Sequence, residues 1–123
     1  MKNFFKLGFI GGGINSTIGS THYFASQLDG KWKVCSGFFS RNKSDNIKTA
    51  SIWNIDKKRV YNNLNSFISN EKKSLDAVVI LAPTPKHFGI LKRLLKENIP
   101  IICEKPLVDS IKQIKSLKKN INK

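Results

Sequence analysis

The stretch GFIGGGINSTIGSTH, residues Gly8–His22, decides how the rest of the chain is read. It leaves the apolar run Phe4–Ile10 and passes through three consecutive glycines into a segment with helical character. An apolar run that ends in glycines reads as a buried strand closed by a tight turn. Gly11 and Gly13 occupy the first two places of a G-x-G-x-x-G turn, after a strand and at the start of a helix, which is the setting that turn requires. Without Cβ atoms, the backbone N–H groups from Gly11 through Gly12, Gly13, Ile14 and Asn15 can approach a pyrophosphate at the helix N-terminus. Ser16 stands in the third glycine place. It is small enough for tight helix–strand packing, and its hydroxyl can cap the helix. A glycine turn of purely structural use is the alternative reading.

Outward from this turn, strand and helix signals alternate. A helix is expected over Ser16–Leu28, closed by Asp29-Gly30, and a second strand over Trp32–Phe39. Ser44–Asn54 reads as a polar-faced helix with Ile47, Ala50 and Trp53 inward, followed by a short third strand, Arg59–Tyr61, and a short helix, Asn65–Asn70. AVVILA, Ala77–Ala82, is the clearest strand: apolar, rich in β-branched residues, and bounded by Asp76 and Pro83. A helix over Pro85–Asn98, a fifth strand over Ile99–Cys103 and a last helix capped by Asp109 complete the chain. This alternation predicts an α/β fold: a doubly wound parallel Rossmann sheet of order 3-2-1-4-5, with right-handed crossovers and without the last strand.

The 123 residues make one domain, with 40% apolar residues sufficient for a core. No run approaches the eighteen or so apolar residues of a membrane span. The start, MKNFFKLGFIGGG, resembles a signal peptide only superficially, because Lys6 interrupts it and no cleavage site follows. A cytoplasmic location is expected. Cys35 and Cys103 fall in apolar runs and read as buried thiols. The predicted strand order sets them three strands apart, roughly 14 Å, too far for a disulfide. The net charge of +14 raises nucleic-acid binding as a hypothesis. Against it, the lysines are scattered and accompany many Asn and Ile residues, all with A/T-rich codons. The densest basic segment, Ile111–Lys123, has the spacing of an amphipathic helix with a solvated face. Neither a nucleic acid nor a membrane is expected as a partner.

A dinucleotide domain usually ends its second strand on a carboxylate for the ribose 2′-hydroxyl. Here that place reads Ser40-Arg41, and Arg41 can pair with a 2′-phosphate. The cofactor is therefore NAD or NADP, with a lean towards NADP; an ordinary surface arginine is the alternative.

Two further blocks stand at a suggestive separation. The first is Asp76-Ala77-Val78-Val79-Ile80-Leu81-Ala82-Pro83-Thr84, with His87 three residues on. The second is Glu104-Lys105-Pro106. Together with G-G-G-x-x-S-x-I-G-x-x-H over Gly11–His22, they make the whole chain resemble the N-terminal half of the glucose-fructose oxidoreductase / inositol 2-dehydrogenase (Gfo/Idh/MocA) family. Ala82 and Thr84 depart from the Thr and Asn of the family pattern.

The resemblance implies that Lys105 lies beside the nicotinamide and the reacting hydroxyl, where a lysine can orient that hydroxyl and move its proton, most effectively when burial lowers its pKa. It implies that Glu104 contacts the nicotinamide ribose region and that Ala82, Pro83, Thr84 and His87 border the cofactor. Pro106 is expected to follow a cis peptide. His87 also reads as a surface or capping histidine, and His22 as packing or solvent-facing. Family members are much longer and carry a second domain with the substrate pocket and the oligomer interface. The chain is thus expected to be the dinucleotide domain, residues 1–123, of a homo-oligomeric oxidoreductase acting on a sugar or polyol, without turnover alone. A free-standing NAD(P)-binding or sensing module is the alternative.

Overall fold

The computed structural model describes residues 3–121, so the outermost residues of the expected domain lie outside the described part. In chain order the elements are β1 (Phe5–Gly11), α1 (Thr17–Gln27), β2 (Trp32–Phe38), α2 (Lys43–Ile52), a 3-10 turn at Lys57–Arg59, α3 (Leu64–Glu71), β3 (Ala77–Leu81), α4 (Thr84–Leu95), β4 (Ile101–Cys103) and α5 (Ile111–Ile121). The four strands form one parallel sheet of order β2-β1-β3-β4. All five residues of β3 are buried, as a strand covered on both faces must be. Side chains alternate across a strand, so β3 serves two cores. Val78 and Ile80 join Phe67 of α3, Leu91 and Leu94 of α4 and Leu117 of α5. Ala77, Val79 and Leu81 join Phe9, Ala50 of α2 and Trp53, with Tyr23 of α1 packed alongside.

The expected third strand does not form, so the five-strand order 3-2-1-4-5 reduces to its last four places: predicted strands 2-1-4-5 are β2-β1-β3-β4. Asp56 accepts the Lys58 N–H at 2.9 Å and closes a 3-10 turn where the strand was to begin. Arg59 is drawn away towards α3, its Nε donating to Glu71 Oε1 at 3.0 Å. The segment reaches the sheet only as a single bridge between Val60 and Gly37 on β2, with the Tyr61 N–H donating to the Gly37 carbonyl at 2.9 Å. The hydroxyl of Tyr61 donates to Glu71 at 2.9 Å and Ser74 Oγ donates at 2.8 Å. Burial pushes Glu71 up, but the bonds from Arg59, Ser74 and Tyr61 more than offset it and hold the carboxyl below its ordinary range. Burial, then the bond to Glu71, pushes the Tyr61 phenol up to about 12. This network takes the place of strand pairing.

Other expectations shift locally. In α2, Ala50 and Trp53 are buried as expected, but Ile47 is exposed and Asn46 and Thr49 take inward places. Ser110, not Asp109, caps α5: its hydroxyl accepts the Gln113 N–H at 3.3 Å, while the Gln113 side chain accepts from Asp109 N–H at 3.0 Å. The fifth predicted strand shortens to β4, because Pro100 has no N–H to contribute. Cys35 and Cys103 are free thiols on β2 and β4, three strands apart, and partly exposed rather than buried. Burial nevertheless raises the pKa of both. Among the described residues no helix is long and apolar enough to cross a membrane.

Candidate functional site

A parallel sheet carries its ligand outside the carboxyl ends of the strands, where neighbouring connections diverge to opposite faces. In this chain that place is the end of β1. Gly11 and Gly12 turn the chain there with φ of 79° and 72°. A Cβ on Gly11 would stand 2.5 Å from the Ala82 nitrogen, and one on Gly12 would stand 2.5 Å from the Leu81 side chain. Both positions therefore require glycine, for backbone shape and for closeness to β3. Ser16 caps α1, its hydroxyl accepting the Gly19 N–H at 3.1 Å, as the sequence suggested. The close helix–turn packing falls to a different residue. A Cβ on Gly19 would lie 1.9 Å from the Gly12 carbonyl oxygen, so Gly19, one turn into α1, does what the third glycine of the motif does. Helix geometry leaves Thr17 and Ile18 N–H without intrahelical acceptors, and the first turn of α1 holds no acidic residue. That combination suits a pyrophosphate.

A cavity of about 960 Å³ opens over this turn. Of the residues singled out in the sequence, Gly11, Gly12 and Ser16 form its floor, Ser40 and Arg41 one end, and Ala82, Pro83, Thr84 and His87 the wall after β3. Glu104 and Lys105 close the other end. Gly13, Ile14 and Asn15 line a smaller adjoining hollow of about 190 Å³ with Ser40 and Asp45.

The Ser40 end differs from its sequence reading. No carboxylate was expected near Ser40-Arg41. Asp45, in the first turn of α2, supplies one: its Oδ2 accepts from Ser40 Oγ at 3.4 Å and its Oδ1 from Asn15 Nδ2 at 3.1 Å. Asn46 makes this possible. Fully buried, it accepts the N–H groups of Phe39 and Ser40 at 3.1 and 2.9 Å and donates to the Ser40 carbonyl at 2.8 Å. The loop after β2 is thereby folded back onto α2, and Asp45 lands beside Ser40. A rule that looks for an acid as the last residue of the strand misses it.

The wall after β3 is held by His87. The ring is 1% exposed. Its Nε2 is 2.7 Å from the Ala82 carbonyl, and its Nδ1 is 3.1 Å from each of the Pro106 and Leu107 carbonyls. Neither surface nor cap, it ties the turn after β3 to the turn after β4. The Lys105-Pro106 peptide in that second turn is cis. Lys105 itself is exposed on the cavity rim.

His22 is the second histidine whose reading changes. Partly buried, it does not point free into solvent but faces a carboxylate. Its Nε2 lies 2.7 Å from Glu104 Oε1. The other Glu104 oxygen accepts the Lys105 N–H at 3.2 Å. The hydrogen bond from His22, then that from Lys105, holds the Glu104 carboxyl below its ordinary range.

A glycine turn at a helix N-terminus, one cavity spanning the strand ends, and polar groups at both its ends define a dinucleotide-binding α/β domain. Its family is the oxidoreductase family with an NAD-binding Rossmann fold, whose sequence model matches residues 5–123, and the chain belongs to it. It is 26% identical over 102 residues to the Bacillus subtilis oxidoreductase YfiI, which covers 80% of this chain and 26% of that protein. Among solved structures, an oxidoreductase from Sinorhizobium meliloti superposes with a TM-score of 0.87 at 30% identity, covering 98% of this chain and 34% of that one. An inositol dehydrogenase homologue from Azotobacter vinelandii, complexed with NADH and myo-inositol, has the same fold, with a TM-score of 0.89 at 24% identity over 98% of this chain and 32% of that one. The chain thus spans about a third or less of the length of these relatives.

Proposed function

We infer that this chain is the cofactor-binding domain of a longer oxidoreductase that moves a hydride between nicotinamide and a hydroxyl or carbonyl group of a sugar or polyol. The observation that carries this reading is the single cavity joining the glycine turn, the Ser40 end and Lys105. The NADH and myo-inositol complex of the Azotobacter vinelandii homologue supports the cofactor and substrate classes.

Bound there, the cofactor supplies the hydride acceptor or donor. The chain's own groups do the rest. The N–H groups of the glycine turn and of Thr17 and Ile18 meet the pyrophosphate. Ser40 and Asp45 receive the adenosine ribose, and the Asp45 carboxylate favours NAD(H) over a cofactor carrying a 2′-phosphate. Arg41 lies on the same rim and stacks or pairs at the adenosine end. At the other end Lys105 orients the substrate hydroxyl and carries its proton. In this reading the substrate pocket and the oligomer contacts belong to a second domain, so residues 1–123 do not turn over alone.

Calorimetric titration with NADH and NADPH tests the proposal. The expected result is binding of both, tighter for NADH. Binding of neither would remove the cofactor reading, and turnover of inositols or sugars by this chain would remove the reading of it as an incomplete enzyme.

A further inference from the structure

We propose that His22 is a positioning residue for the nicotinamide end of the site, acting through Glu104 on the turn that carries Lys105. The inference rests on the cofactor reading above and adds a residue and a role to it.

The geometry begins with α1. Its N-terminus faces the pyrophosphate position, and its second turn brings His22 opposite the end of β4. The imidazole Nε2 meets Glu104 Oε1 at 2.7 Å, and Glu104 Oε2 meets the Lys105 N–H at 3.2 Å. The carboxylate is therefore held at both oxygens, between a helix that binds one half of the dinucleotide and the main chain of the residue expected to do chemistry at the other half. The Glu104 N–H is fixed in turn by the Ile80 carbonyl at 3.1 Å. With main chain and carboxylate both fixed, the direction in which the Lys105 side chain leaves the turn is set.

Two considerations argue for positioning rather than for simple stabilisation. First, the two side chains keep 27% and 25% of their exposure, and partly solvated pairs of this kind add little to stability. Second, Glu104 and Lys105 stand together in the cavity lining, so the carboxylate that His22 holds belongs to the same turn as the residue expected to meet the nicotinamide. Hydrogen-bonded to His22, the carboxylate holds the main chain of Lys105 and keeps that residue on the rim. Those effects are confined to the half of the cavity beyond the glycine turn, since among the described residues no hydrogen bond or ion pair joins Ser40 or Asp45 to this pair.

The test compares wild type with His22→Leu, which removes the donor, and His22→Gln, whose amide keeps a donor at similar reach. Each is titrated with NADH and with ADP, which lacks the nicotinamide riboside. The expected result for His22→Leu is NADH affinity lowered about three- to tenfold, the range of one polar contact, with ADP affinity and thermal midpoint unchanged. In His22→Gln most of the NADH affinity returns. The emission band of bound NADH, which reports only on the nicotinamide, shifts in His22→Leu and not in His22→Gln. Equal losses for NADH and ADP, or no loss for NADH, overturn the positioning role while leaving the cofactor site intact. Failure of the wild type to bind either ligand overturns the cofactor reading itself, and the role of His22 with it.

Discussion

His22 and Glu104 stand 82 residues apart in sequence and 2.7 Å apart in space, with Glu104 in the cavity lining. Because the hydrogen bond from His22 is the largest influence holding Glu104 below its ordinary range, removing it must show in the titration of that carboxyl. The side-chain carboxyl carbon of Glu104, followed by NMR across acid pH, is expected to titrate below the ordinary glutamate range in the wild type and to move up in His22→Leu. An unchanged midpoint would mean that the pair does not persist in solution.

Glu71 makes the stability of the fold depend on acid pH. Its carboxyl is depressed in the folded state, so the stabilisation it brings is complete above the ordinary carboxylate range and is lost as pH falls through the lower folded value. Wild-type unfolding midpoints should therefore drop on acidification, and Glu71→Gln should flatten that dependence. At neutral pH the same substitution leaves Arg59 short of its partner and should cost about 1–3 kcal/mol by urea denaturation, discounted from the figure for a fully buried pair because Arg59 is partly exposed. The Tyr61 phenol, pushed up to about 12, should appear as a late step in the ultraviolet titration and move earlier in Glu71→Gln.

Gly19→Ala is expected to be among the most damaging single-methyl additions in the chain. The added Cβ would meet the Gly12 carbonyl at 1.9 Å, and neither partner is a flexible side chain. Overpacking of this kind costs about 1–3 kcal/mol, and relief requires α1 to move away from the turn it caps. Thermal denaturation should show the loss, with NADH affinity falling alongside.

Asp45→Asn should change which dinucleotide is preferred. The substitution keeps hydrogen bonding to Ser40 and Asn15 possible while removing the negative charge near the ribose. NADPH affinity is expected to rise relative to NADH by about tenfold, equivalent to roughly 1.4 kcal/mol. Titration with both cofactors reads this ratio directly, and an unaltered ratio would remove Asp45 from the specificity argument.

His87→Ala withdraws the ring that faces the Ala82, Pro106 and Leu107 carbonyls and leaves a void between two turns. A buried carbonyl deprived of its donor costs about 1–3 kcal/mol. Hydrogen exchange should quicken around residues 104–108 more than in β1, because the ring anchors that turn and not the centre of the sheet.

What the sequence made legible was local. The glycine turn, the Ser16 cap and the buried AVVIL strand each announce themselves within a few residues, because strand period, turn chemistry and capping are short-range effects, whereas the Glu104-Lys105-Pro106 block stood out only by its resemblance to a family pattern. What was hidden depended on partners far along the chain. Arg59–Tyr61 has the composition of a short strand, and its fate was decided by Glu71. Ser40-Arg41 looked free of carboxylate because Asp45 arrives only after Asn46 folds the loop back. His22 on a helix face has no local feature that points to Glu104. Cys35 and Cys103 sit in apolar runs, yet neither is fully covered.

The pairing of β1 carries one more consequence, for the order of events during synthesis. Leu7–Gly11 at the centre of the sheet aligns with Ala77–Leu81, and the Lys6 N–H is received by Asp76 at 2.7 Å. Such distant pairing pays for loop closure before it is rewarded, so it is slow. An emerging chain can join β1 to β2 early, but Phe9 and Ile10 stay uncovered until the residues near 80 have left the ribosome. The Glu104 end of the cavity follows later still. Dinucleotide binding would then be an assay of completed folding, silent in any nascent or truncated chain that ends before Lys105.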